Sequence, residues 1–151
     1  MSDSEAGALI GGKYRVLRRL GAGGFGIVLL ARHEKLEREV ALKLAHPDAP
    51  LDRGATTRLL SEARLAAKIR SDHVARVLDV DEDESGAPYI VLEHLHGKDL
   101  AVLVKETGRV PWETAVDYVV QAGDAVFEAH TLGIVHRDLK PANLFLERGT
   151  P

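Results

Sequence analysis

The chain has 151 residues, 45% of them hydrophobic and 28% charged, with a formal net charge of −3; this is the length and balance of one globular domain with a real core. Such a charge gives no global pull toward nucleic acid or an anionic membrane, and the absence of cysteine removes disulfides, thiolate zinc sites and cysteine nucleophiles together. The opening "MSDSEAGALIGGKYR" lacks the basic flank and apolar core of a secretory signal, and no apolar run approaches the ~18 residues of a membrane span, so a cytoplasmic domain with no membrane segment and no nucleic-acid partner is expected.

Residues 1–12 read as a flexible lead-in. "KYRVLRRL" (13–20) sets basic residues around Tyr14, Val16 and Leu17 in the manner of a half-exposed strand. "LGAGGFG" breaks it, and "IVLLARHE" (27–34) and "REVALKLAH" (38–46) read as two more strands joined by a turn at "KLER". "PDAPLDRGATT" reads as loop, with Thr56 or Thr57 capping a helix over 58–70. That helix lines up Leu59, Ala63, Ala66 and Ile69 on one stripe. "VARVLDV" (74–80) and "PYIVLEHL" (88–95) read as strands around the acidic turn "DEDESGA". A short helix follows at "DLAVLVKETG". A longer one over 111–130 starts with Pro111 in a favourable first-turn position. It runs Trp112, Ala115, Val119, Ala122, Val126 and Ala129 down one face. Strands thus dominate the chain to residue 95 and helices the part after it.

Three constellations carry chemistry. Gly21, Gly23 and Gly26 have G-x-G-x-x-G spacing, which lets backbone N–H groups close on phosphate oxygens. The glycines lead into the apolar run Ile27–Leu30, a strand, whereas a dinucleotide fold needs a helix there. No lysine and hydroxyl follow the last glycine, as a Walker loop would require. A strand-loop-strand flap over phosphates remains, beside the plainer reading of a glycine-rich hairpin with no ligand. In "VALK", Lys43 sits between Leu42 and Leu44 and shares its strand face with Ala41. Glu62 falls on the apolar stripe of the 58–70 helix, where a carboxylate is costly unless a cation meets it. Lys43 is its candidate partner; the alternative is that Glu62 lies at the edge of the stripe and reaches water. The third constellation is "HRDLKPAN" (136–143), which gathers His136, Arg137, Asp138, Lys140 and Asn143 in one loop. His94-x-His96 has metal-like spacing, but no third ligand follows it, and "DEDE" (81–84) reads as a solvated turn.

Taken together, "GAGGFGIV", "VALK" and "HRDLKPAN" resemble the protein-kinase signature, in the family's order and over roughly residues 13–147. Lys140 in "HRDLK" resembles the serine/threonine subclass, and "GIVHRDLKPAN" its bacterial, eukaryotic-like members. The resemblance implies an α+β, protein-kinase-like fold. Its N-lobe (13–95) would hold an antiparallel five-stranded sheet and one αC-type helix, followed by the hinge and an incomplete, mainly helical C-lobe (96–151). It implies ATP and Mg2+ as cofactors and a protein Ser/Thr hydroxyl as acceptor. Asp138 matches the base that takes the hydroxyl proton, Lys140 the cation on the transferring phosphoryl group and Asn143 a magnesium ligand. The ATP-binding set it implies is Leu20, Gly21, Ala22, Gly23, Gly24, Phe25 and Gly26 in the loop, with Lys43 on the α- and β-phosphates and Glu62 pairing it. Val28, Ala41 and Phe145 would sandwich adenine, Leu92 would stand behind it, and Glu93 and Leu95 would meet it through their backbones. Arg137 and His136 are structural by this correspondence.

The chain ends eight residues after Asn143. The family's next element, a strand leading to Asp-Phe-Gly and the main magnesium ligand, does not occur in it. Ala66 also stands where the family usually has a bulkier aliphatic residue. The expectation is that residues 1–151 alone transfer little or no phosphoryl group and that the 111–130 helix exposes an apolar face. The alternative function is a non-catalytic, nucleotide-binding or scaffold module.

Overall fold

The computed structural model describes residues 6–23, 26–45 and 53–148, apart from the side chains of residues 53–56, 58, 59 and 62. Among the described residues the chain divides into two compact units, Met1–Ala67 with Arg76–His94 and Lys68–Ala75 with Leu95–Pro151.

Strands buried along most of their length build the centre of the first unit. β1 (Leu9–Ile10), β2 (Tyr14–Gly23), β3 (Gly26–His33), β4 (Arg38–Leu44), β5 (Val77–Glu82) and β6 (Pro88–Glu93) form an antiparallel sheet in the order β1-β2-β3-β4-β6-β5. Val40, Leu42 and Leu44 of β4 face one side, where they join Tyr14, Val16, Leu29, Tyr89 and Val91 in the main core. Tyr14 and Tyr89 meet edge to face with ring centroids 5.9 Å apart, although β3 and β4 stand between their strands. The sheet is therefore curled around this core, in the direction strand twist favours. On its other face Ala63 of α1 (Arg53–Ala66) packs on Ile90, flanked by Val77, Val80 and Leu92. β5 carries a register shift between Val77 and Asp79.

Three expectations are corrected here. The sheet has six strands, not five, because part of the lead-in is structured: Gly7 N donates to Val16 O and Val16 N to Ala8 O, both at 2.8 Å. Backbone bonds alone make this strand, so no alternation announces it. The glycine loop does not end β2, which stays paired to β3 as far as Gly23↔Gly26. The helix spans Arg53–Ala66 and not 58–70, so Thr56 and Thr57 lie inside it and neither can be its N-cap. Past its end Ala67 N still bonds to Ala63 O at 2.9 Å, and Arg70 N donates to the Glu128 carboxylate at 2.7 Å.

The second unit contains β7 (Gly97–Asp99), α2 (Leu100–Thr107), α3 (Trp112–Thr131) and β8 (Phe145–Glu147), with a 3-10 turn at Pro141–Asn143. The Asp99 carboxylate caps α2 by accepting from Val102 N at 2.9 Å. β7 pairs with β8 in a two-stranded ladder that local sequence does not show. Of the apolar stripe expected on α3, Ala129 is buried and Ala115, Ala122 and Val126 are half-buried, while Trp112 and Val119 are 73% and 68% exposed. Val116, Val120 and Phe127 are exposed with them. No helix among the described residues is long and apolar enough to cross a membrane.

Candidate active site

The first unit carries the loop, the lysine and the helix. Lys43 stands opposite Val28 on one side and Ile90 on the other, and directly opposed residues share a face. Ala41, buried, lies between Leu30 and Leu92 on that same face. It is the face on which α1 packs through Ala63, next in sequence to Glu62. Lys43 is half-buried and engaged with its surroundings; the Glu62 side chain lies outside the described residues. Leu20, Gly21, Ala22 and Gly23 end β2, while Gly24 and Phe25 also lie outside the described residues.

The two well-described glycines of the loop are glycine for different reasons. At Gly26 φ is +124° and a Cβ would lie 2.0 Å from the Leu44 carbonyl oxygen, so packing of β3 on β4 demands glycine. A Cβ on Gly21 would meet nothing within 4 Å. Among the described residues that position is open, which suits a loop that closes on a ligand.

At the end of β6, Glu93 and Arg76 bond reciprocally: Glu93 N donates to Arg76 O at 3.0 Å and Arg76 N to the Glu93 carboxylate at 2.8 Å. Neither residue type at this spacing signals that clamp in the sequence, and Arg76 was not singled out there. His94 Nδ1 lies 3.1 Å from Glu39 Oε2, within the same unit. The chain passes into the second unit at Leu95.

The second unit carries the "HRDLKPAN" loop. Just past α3 stands Gly133 at φ +74°, its amide donating to His130 O at 2.9 Å. The loop then turns through Arg137, in the left-handed region at φ +61°, a conformation that costs a bulky residue energy and marks a constrained backbone. Asp138 N donates to His136 Nδ1 at 3.3 Å. Pro141 opens the 3-10 turn that delivers Asn143, and Asn143 N donates to Lys140 O at 2.9 Å.

These contacts bring Asp138, Lys140 and Asn143 together. Lys140 Nζ lies 2.9 Å from Asp138 Oδ2. Asn143 Nδ2 donates to the same oxygen at 3.0 Å and to Asp138 O at 2.8 Å. Hydrogen bonding from Lys140 and then from Asn143 holds the Asp138 carboxyl below its ordinary range, so it is a carboxylate at neutral pH and can accept a proton. Because the Asn143 amide nitrogen is turned to Asp138, its oxygen is the end left for a hard cation, a donor that suits Mg2+. Phe145 stands on β8 opposite Asp99 and is 44% exposed.

The protein kinase domain family matches residues 14–150, and the chain belongs to that family. A probable serine/threonine-protein kinase of Clostridium perfringens is 35% identical over 140 residues, covering 93% of this chain and 20% of that protein. The serine/threonine-protein kinase PknA of Mycobacterium tuberculosis is 35% identical over 146 residues, covering 94% of this chain and 34% of PknA. A crystal structure of the M. tuberculosis PknI kinase domain, in a double-mutant form, superposes with a TM-score of 0.81 at 28% identity; it covers 95% of this chain and 59% of that one. The protein-kinase fold and the bacterial serine/threonine character implied by the motifs are thus borne out. The chain spans a fifth to a third of the length of these two curated relatives.

Proposed function

We propose that the chain binds Mg-ATP and supplies the catalytic loop for transfer of the γ-phosphoryl group to a serine or threonine hydroxyl of a protein substrate in the cytoplasm. The carrying observation is the Asp138–Lys140–Asn143 arrangement: an ionised base, a cation and an amide oxygen held on one short loop. On this reading residues 13–95 are the N-lobe and 96–151 the hinge and catalytic-loop part of the C-lobe.

The Asp138 carboxylate would take the proton of the attacking hydroxyl as its oxygen bonds to the γ-phosphorus and the bond to the β-phosphate oxygen breaks, leaving ADP. Lys140 has three N–H donors, so it can keep its pair with Asp138 and still meet the incoming phosphoryl oxygens. Asn143 would hold Asp138 through its nitrogen and offer its oxygen to Mg2+. Bound there, Mg2+ would neutralise charge on the phosphates. In the first unit, Lys43 would contact the α- and β-phosphates beneath Leu20–Gly26, with Glu62 as its partner. Val28 and Ala41 would face adenine and Leu92 would lie behind; in the second unit, Phe145 is the residue that the family resemblance assigns to adenine. Glu93 already spends its amide on Arg76, so its contact with adenine would be through the carbonyl; Leu95 would contribute its amide.

ATP binding is the direct test. Millimolar ATP with Mg2+ should raise the melting temperature of the chain, and Lys43→Met should abolish that rise when each protein is compared with its own unliganded melt. No rise for the parent chain, or an equal rise in both, would remove the nucleotide site from this reading. Binding without any turnover that depends on Asp138 would favour the scaffold function instead.

A further inference from the structure

The family match begins at Tyr14, yet the residues before it are built into the first unit. Lys13 N donates to Ile10 O at 3.1 Å, and Arg15 holds the segment down by reaching Gly7 O at 3.0 Å and the Glu34 carboxylate at 2.6 Å. The β1–β2 turn then reaches the far rim of the sheet. Lys13 Nζ meets Asp81 Oδ2 of β5 at 2.5 Å, and Gly12 N donates to Glu84 Oε1 at 3.1 Å, across 68 and 72 residues of chain. Beneath the turn lies the buried Tyr89 hydroxyl, with no hydrogen-bond partner among the described residues. Gly11 covers it so closely, at φ +55°, that a Cβ there would stand 2.2 Å from the hydroxyl oxygen.

We infer that residues 7–13 are a clasp that closes the curled sheet by fastening the β1 edge to the β5–β6 hairpin. β1 and β5 are the two outermost strands of the sheet, so one turn joins both of its edges. β2 and β6, which follow the two fastened turns, run on to Gly21–Gly23 and to Glu93. Lys13 and Asp81 are both solvent-accessible, so the clasp opens locally without unfolding the core under it. The inference concerns the fold and stands apart from the nucleotide reading.

Amide hydrogen exchange tests it on the whole chain. Lys13→Glu places a carboxylate among Asp79, Asp81 and Glu84 and should speed exchange at Gly12 and Val16 by about threefold to fivefold, the scale of one exposed ion pair. Lys13→Asp combined with Asp81→Lys should restore the parental rates. Gly11→Ala should open the same amides with no change of charge, by collision with Tyr89. Parental exchange in both Lys13→Glu and Gly11→Ala would overturn the clasp, and so would a swapped pair that stays as open as Lys13→Glu.

Discussion

The two units invest their apolar residues in opposite ways. In the first, Leu29, Leu42, Tyr89 and Val91 are almost wholly buried, and Lys43 is anchored in a strand between two paired neighbours. In the second, the described buried apolar residues are Ala125 and Ala129, while Phe127 stands 72% exposed. Candidate groups of the first unit are thus placed by a packed sheet, whereas Asp138, Lys140 and Asn143 are placed by hydrogen bonds among themselves. The lesson is that one proposed reaction draws on two kinds of rigidity, and substitutions should separate them.

The largest effect is expected in the loop. Asp138→Asn should lower phosphoryl transfer by about 10²–10⁴-fold in any form of the protein that turns over labelled ATP, with its melting temperature unchanged. A variant that keeps parental turnover would remove Asp138 as the base. Next comes the core of the first unit: Leu42→Ala should cost about 2–5 kcal/mol in denaturant unfolding, against less than about 0.5 kcal/mol for Phe127→Ala. Comparable losses would erase the contrast between the units.

Smaller effects sharpen it. Gly26→Ala should cost about 1–3 kcal/mol through positive-φ strain and the Leu44 carbonyl contact, whereas Gly21→Ala should fold like the parent and lose only nucleotide affinity. The subtlest is a titration. The Asp138 carboxyl is held low first by Lys140, so Lys140→Met should raise its pKa toward the ordinary carboxylate range. Its acid limb, followed by carboxyl NMR, should then move to higher pH. The sign follows from the cation favouring the charged form: what the pair adds to stability is present above the ordinary carboxylate pKa and lost as pH falls through the lowered one. An unchanged limb would mean that Asn143 alone holds the carboxylate.

Much of this was legible in the residues because the signals are local. Alternation placed β2, apolar runs placed β3, β4 and β6, a 3.6-residue period placed α3, and the compact "HRDLKPAN" brought its own three polar groups together. What was missed depends on distant partners. β1 exists through backbone bonds to β2, and β7 finds β8 some 48 residues on by register (Gly97↔Glu147, Lys98↔Leu146 and Asp99↔Phe145). Arg70, past the end of α1, gives its amide to Glu128 of α3, 58 residues on, which no local pattern announces. The reciprocal bonds of Arg76 and Glu93 left no mark in composition or spacing.

The irregularity in β5 has a bearing on how molecules of this protein meet one another. An unpaired outer strand invites a second chain to continue the sheet. Here one outer strand is two residues long, and the other is bulged between Val77 and Asp79 and carries Asp79, Asp81 and Glu82. A bulge bends an edge away from further pairing, and a second copy would bring like carboxylates against these. Continuation of the sheet into a second copy is therefore disfavoured at both of its edges.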